Sequence, residues 1–167
     1  MKQEQMLYIE DTIVHKSYVL EESIKLFRWL CSQEKYDLAK QLIIACCVHD
    51  NSKLTTNEYD EMPMVSSIAG NKHMTDPTII PNDEVSKILE LHWENNSHHP
   101  EHYKNINHMN EIDILEMVCD WSARSRQYNT NLLSFAKTRL KNRFVDFSQE
   151  NKQKILNYCE ILTNIKE

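Results

Sequence analysis

The scarcity of turn-forming residues is the feature that most constrains how this chain can fold. The 167 residues include one glycine and four prolines, whereas β-sheets joined by tight hairpins need many more residues of both kinds. Apolar residues recur at helical spacing through long segments without breakers, as Val14, Phe27 and Leu30 do. The sequence therefore predicts an all-α fold, a single-domain bundle of about six to seven helices spanning residues 1–167.

The apolar pattern also predicts where the helices lie and which of them serve only for packing. Helices are expected over about 4–31, 34–50, 83–95, 110–127, 130–144 and 148–165. The last two carry no cluster of titratable groups on their apolar faces. We therefore expect the helices from about 130 to 165 to serve as packing elements.

Charge and cysteine usage exclude several classes of protein. The net charge of −6 provides no electrostatic footprint for duplex nucleic acid or an anionic membrane surface. No stretch approaches transmembrane length, and the amino terminus lacks the apolar segment of a signal peptide. The five cysteines are odd in number and show no CxxC spacing, which favours a reducing compartment. We expect a cytoplasmic protein that contacts no membrane.

The segment LIIACCVHDNSK, residues 42–53, carries the first functional signal. Seven consecutive apolar residues lead directly into His49 and Asp50. Placing an imidazole and a carboxylate at the end of a buried helix costs several kcal/mol, on the order of 2–7 per group, unless they find partners. A bound metal ion is the partner that we expect.

Four polar residues embedded in apolar helical segments form the predicted metal site: His15, His49, Asp50 and Asp120. One such histidine is more often a hydrogen-bonded core residue, and one mid-helix aspartate more often faces solvent. Four of them on three helices can converge on one point of a bundle. Two imidazoles and two carboxylates suit a divalent transition metal (Mn, Fe, Co, Ni or Zn). Such an ion activates water and polarises a phosphoryl oxygen.

This pattern resembles the H…HD…D signature of the HD-domain metal-dependent phosphohydrolase superfamily. HDNSK, the later Glu58, HWENNSHHPEHY and LEMVCDW further resemble a small branch common in bacteriophage and bacterial genomes. The similarity covers residues from about 10 to 125. It implies an all-helical core in which His15, His49, Asp50 and Asp120 hold the first of one or two metal ions. It also implies that Asp50 can bridge to the second.

The resemblance suggests further roles, each with a plainer alternative. Lys53 matches a lysine that meets a phosphate, although a solvated lysine at a helix end is more common. Glu58 could orient water as a general base, although an exposed glutamate in the first turn of a helix is ordinary dipole chemistry.

The histidines of the HWENNSHHPEHY segment resemble the H…HH insertion that supplies a second metal in two-metal HD phosphodiesterases. The gap from His92 to His98 is six residues, shorter than in those enzymes. We assign His92 to the metal site and His98 and His99 to catalysis, where they bind phosphate or act as a general acid. Asn96 is expected to hydrogen-bond within this cluster. Three other histidines are expected at the surface: His73, His102 and His108.

Three functions follow, and the first is preferred. It is a metal-dependent phosphohydrolase acting on a small phosphorylated substrate, a phosphomonoester or nucleotide. The second is an HD-type di-iron oxygenase, in which His92 and His98 would complete the second iron site. The third is a non-catalytic binding protein whose metal only staples the bundle. Because dimers are common in the superfamily, a homodimer is compatible with each.

Overall fold

The computed structural model describes residues 3–55, 58 and 83–165, and these confirm an all-α single-domain bundle. No strand occurs among the described residues. The α-helices are α1 (Gln3–Ser32), α2 (Tyr36–Val48), α3 (Ser52–Thr55), α4 (Asp83–Asn95), α5 (Glu111–Gln127), α6 (Leu132–Asn142) and α7 (Gln149–Asn164). Two 3-10 turns, Pro100–His102 and Ile106–His108, connect α4 to α5.

Side-chain caps fix the start of the last three helices. Asn110, Asn131 and Ser148 each accept a hydrogen bond from the backbone N–H three residues further on. Each cap satisfies one of the donors that a helix leaves unpaired in its first turn. These starts agree with the predicted helices to within two residues.

Helix α5 is the centre of the bundle and packs against α1, α2, α6 and α7. Helices α1 and α2 are joined by three residues and lie side by side as a helical hairpin. The core that they share with α5 is apolar and fully buried; among its members are Leu26, Leu30, Leu42, Leu115 and Val118. In the described ranges, no helix combines the length and the apolar character needed to cross a bilayer.

The end of α2 has an unusual backbone that presents the His49–Asp50 pair. Asp50 has a φ of 53°, in the left-handed region where helices most often end on glycine. Aspartate tolerates this conformation better than most residues, at a cost of about 1 kcal/mol. Lys16 of α1 secures the turn by donating to the His49 carbonyl and to Asn51 Oδ1. The chain thus accepts a strained turn that keeps a carboxylate at this position.

The gap between the predicted helices at 83–95 and 110–127 is also present. Helix α4 ends at Asn95, and Pro100 begins the first 3-10 turn. This irregular segment places His98 and His99 next to the last turn of α4. The predicted loop at 71–82, including His73, lies outside the described residues.

Candidate metal centre

The four predicted ligands come together where the carboxyl end of α2 meets the middle of α1 and of α5. Asp120 of α5 lies between two rings: its Oδ1 is 2.9 Å from His15 Nε2 on α1 and 3.9 Å from His49 Nε2. His49 Nε2 is also 3.4 Å from Asp50 Oδ2. One donor atom from each of His15, His49 and Asp50 lies within 4.8 Å of the others. Three helices therefore deliver two imidazoles and two carboxylates to one point.

Several atoms in this cluster that could bind a metal are buried without a hydrogen-bond partner among the described residues. They are both ring nitrogens of His15, His49 Nε2, Asp50 Oδ1 and His98 Nε2. The contact between His15 and Asp120 is short but lacks the geometry of a hydrogen bond. Each buried, unsatisfied polar group costs about 1–3 kcal/mol. Because one cation would satisfy most of these atoms together, the residues present fit a metal ion.

The protonation states of the cluster also suit a metal. Burial, assisted by Arg124, lowers the pKa of His15 to about 4, so this ring is neutral near pH 7. Burial would raise the pKa of Asp50, but His49 and Lys53 hold it well below its usual range. The pKa of Asp120 is likewise held low against burial, by His15. A neutral imidazole and ionised carboxylates are the forms that coordinate metals.

A second group of donors, which we call the histidine corner, consists of His92, His98 and His99. His92 Nε2 and His98 Nε2 lie 3.5 and 3.6 Å from Asp50 Oδ1. His99 Nε2 is 2.9 Å from His92 Nε2. Donor atoms of Asp50, His98 and His99 also fall within 4.8 Å of one another. Asp50 therefore contacts both the first set of ligands and the histidine corner.

Lys53 and Glu58 are both buried, whereas their plainer alternatives were a solvated lysine and an exposed glutamate. Lys53 is 7% exposed, with Nζ 2.6 Å from Asp50 Oδ2, so it is not a solvated lysine. Glu58 is fully buried, not exposed. Its Oε2 lies 2.8 Å from His92 Nδ1 and its Oε1 accepts a hydrogen bond from Asn95. The general-base role of Glu58 stays a prediction, and these contacts favour orientation of the His92 ring.

The remaining polar residues near the cluster are placed as predicted wherever the structure describes them. Asn96 is buried and hydrogen-bonds to the His92 backbone and to Ser52 Oγ. His102 and His108 are exposed.

Sequence reasoning missed Glu116, which contacts the Nδ1 atoms of two of the histidines. Its Oε1 is 2.9 Å from His49 Nδ1 and 3.3 Å from His98 Nδ1. Burial would raise its pKa, but these two rings lower it to about 2. A carboxylate in this position fixes the ring orientation and tautomer of metal-binding histidines. The available signal was its spacing, since Glu116 precedes Asp120 by one turn in an apolar helix.

Tyr8 was also missed. It is 6% exposed, and its hydroxyl oxygen has no hydrogen-bond partner among the described residues. Burial and the charge of Asp50 raise the pKa of this phenol. Tyr8, Thr12 and His15 follow the spacing of one helix face, which was the signal that could have identified it.

Comparison with known proteins identifies a family but no function. No curated protein and no solved structure matches the chain. A family model does match, and it covers residues 4–161, which include every residue of the candidate metal centre. The chain belongs to this family of unknown function, DUF5662.

Proposed function

We propose that this protein is a metal-dependent phosphohydrolase that uses a divalent transition metal held by His15, His49, Asp50 and Asp120. The observation that supports the proposal is a set of buried ring nitrogens and carboxylate oxygens that converge from α1, the turn after α2 and the segment after α4. Several of these atoms have no hydrogen-bond partner among the described residues. A metal that only stapled the bundle would be unnecessary for a domain of this size, which can bury a sufficient apolar core.

The order of these residues supports the reaction class. Metals catalyse many reactions, and we favour phosphoester hydrolysis because of a resemblance. The residues His15, His49–Asp50 and Asp120 resemble the H…HD…D signature of HD-domain phosphohydrolases. When bound at such a site, a divalent ion would lower the pKa of water enough to supply hydroxide near neutral pH and would polarise a phosphoryl oxygen. Manganese, iron, cobalt, nickel and zinc all suit these ligands.

The protein's own residues would bind and orient the reactants. Lys53, ion-paired to Asp50 and largely buried, is placed to neutralise a phosphate that approaches Asp50. His98 and His99 border the same carboxylate and are our candidates for protonating the leaving oxygen. Glu58 and Glu116 would orient histidine rings without touching the substrate. Glu58 hydrogen-bonds to Nδ1 of His92, and Glu116 to Nδ1 of His49.

We further propose a small phosphorylated substrate such as a nucleotide, and a cytoplasmic location. The described chain has five free cysteines, as expected of a protein in a reducing compartment. A homodimer is compatible with the proposal.

The proposed function can be tested by removing the charge of Asp50 in the variant Asp50→Asn. Asp50→Asn keeps the side-chain shape and tolerates a positive φ, but removes a ligand shared by both sets of donors. We expect the wild type, loaded with Mn²⁺, Co²⁺, Ni²⁺ or Zn²⁺, to release phosphate from p-nitrophenyl phosphate or nucleoside monophosphates. Asp50→Asn should abolish that release with helical content unchanged. The exposed Asp146 provides the matched control, Asp146→Asn, which should retain full activity.

Two results would refute this function. One is full activity in Asp50→Asn. The other is the absence of phosphate release from any of these substrates by wild-type protein that demonstrably holds metal.

An oxygenase is the second candidate because the histidine corner offers a second set of ligands around Asp50. His92 and His98 lie at nearly equal distances from Asp50 Oδ1, an arrangement compatible with two ions that share one carboxylate. Protein loaded with Fe²⁺ would then consume oxygen in the presence of an organic substrate. Metal-dependent phosphate release without oxygen uptake would exclude this activity.

A further inference from the structure

Tyr8 has a hydroxyl group whose burial nothing in its described surroundings explains. The residue is 6% exposed. Its hydroxyl makes no hydrogen bond of full geometry within the described residues, although the Thr12 side chain, one turn further along α1, lies near it. Buried tyrosine hydroxyls usually have a partner, and an unpaired one destabilises the fold. Phenylalanine would fill the same space without that cost. The hydroxyl is therefore a candidate for a contact with a ligand.

Tyr8 packs where α1 meets α4, the helices that carry His15 and His92. It lies seven residues before His15, two turns earlier on the same face of α1. Its ring packs against Ile88 of α4, one turn before His92. The residue thus lies between the two helices that contribute His15 and His92.

The charges that act on the phenol are those of the site. Burial raises the pKa of Tyr8 most, followed by the charge of Asp50. The contact with the Thr12 side chain lowers it, and smaller effects come from Glu58, which raises it, and Arg124, which lowers it. Arg124 is itself largely buried, with 15% of its side chain exposed, and is held by Gln127 and Asp11. A neutral O–H donor suits an anion, because its hydrogen bond to a charged acceptor is about twice as strong as one to a neutral acceptor.

We propose that the Tyr8 hydroxyl donates a hydrogen bond to a phosphoryl oxygen of the substrate while the metal centre holds the other side of the same group. This inference rests on the proposed phosphohydrolase function, because it assigns a donor to that substrate. Tyr8 is then a substrate-binding residue on α1.

The test is titration of Mn²⁺-loaded protein with inorganic phosphate, measured by calorimetry for the wild type and Tyr8→Phe. We expect Tyr8→Phe to weaken phosphate binding by about tenfold or more, with unchanged affinity for Mn²⁺. The metal-free variant should unfold at the same temperature as the wild type or a few degrees higher, since an unpaired hydroxyl has been removed. The exposed Tyr36 provides the control, Tyr36→Phe, which should match the wild type in all three measurements.

Each other outcome overturns a defined part of the proposal. Equal phosphate affinity in the wild type and Tyr8→Phe overturns the role of Tyr8 but not the hydrolase. A lower unfolding temperature, or Mn²⁺ affinity reduced as much as phosphate affinity, shows a structural role instead. A wild type that binds Mn²⁺ but no phosphate overturns this inference together with the proposed function.

Discussion

The two sides of helix α5 are buried to a similar extent but contribute to the protein in opposite ways. Toward α6 and α7 it presents apolar side chains, and Ile155 of α7 is fully buried in that core. Toward α1 and the end of α2 it presents Glu116 and Asp120. Burial of apolar surface is favourable by itself, at roughly 25 cal/mol per Å², whereas buried carboxylates and imidazoles require partners. The apolar side can therefore form without a ligand, and the polar side is completed by a cation.

The largest loss of stability is expected on the apolar side. Ile155→Ala should lower the free energy of unfolding by about 2–5 kcal/mol, because it leaves a cavity in the core. The change should be the same with and without metal, as measured by urea unfolding. Ile44→Ala, at an exposed position of α2, should stay within about 0.5 kcal/mol of the wild type. If Ile155→Ala emptied the metal site while the protein remained folded, the two sides would not be separable.

An intermediate effect is expected from acid on the metal-free polar side. The folded-state pKa of His15 is about 4, below its ordinary value of 6.5. Between these values the unfolded chain binds the proton more readily, so acidification reduces the free energy of unfolding, by at most about 3 kcal/mol. The raised pKa of His98 opposes this trend, since protonation of that ring favours the folded state.

His15→Gln isolates the contribution of the first ring. Urea unfolding of metal-free protein at about pH 7 and about pH 5 should show a smaller loss of stability in this variant than in the wild type. His102→Gln, at an exposed ring, is the matched control and should keep the wild-type dependence. An identical pH dependence in His15→Gln and the wild type would contradict the assignment.

The smallest effect is expected from Glu116, which contacts two histidines of the site and is not itself a predicted ligand. Glu116→Gln keeps the shape of a side chain that bonds to His49 and His98 but removes its charge. Metal affinity should fall about 10- to 100-fold, measured by competition with a coloured chelator. The exposed Glu160 supplies the control, Glu160→Gln, with no expected change. Complete loss of binding in Glu116→Gln would indicate that this carboxylate coordinates the metal itself.

The same contrast explains which features the sequence predicted. Apolar spacing reports burial, so the helices and the convergence of His15, His49, Asp50 and Asp120 followed from residues embedded in apolar helical segments. Glu58 was ambiguous because no apolar pattern distinguishes a buried glutamate from an exposed one in a short segment. Its contact with His92 depends on how α4 packs.

Glu116 and Tyr8 were missed for a related reason. Each lies one or two helical turns from a predicted ligand, at positions where a carboxylate or a tyrosine is ordinary on a helix surface. Their importance comes from tertiary contacts, with His49 and His98 for Glu116 and with α4 for Tyr8. Helical spacing could nominate both residues, but only the packing of neighbouring helices shows that both are buried.

Metal content is the decisive measurement for the polar side of the bundle. Wild-type protein and Asp50→Asn would each be loaded with Mn²⁺ or Zn²⁺, dialysed and analysed by mass spectrometry for bound metal. We predict that the wild type retains at least about one ion per chain and that Asp50→Asn loses it, since Asp50 belongs to both sets of donors. A wild type that retains no metal, or a variant that retains as much as the wild type, would contradict the proposed centre.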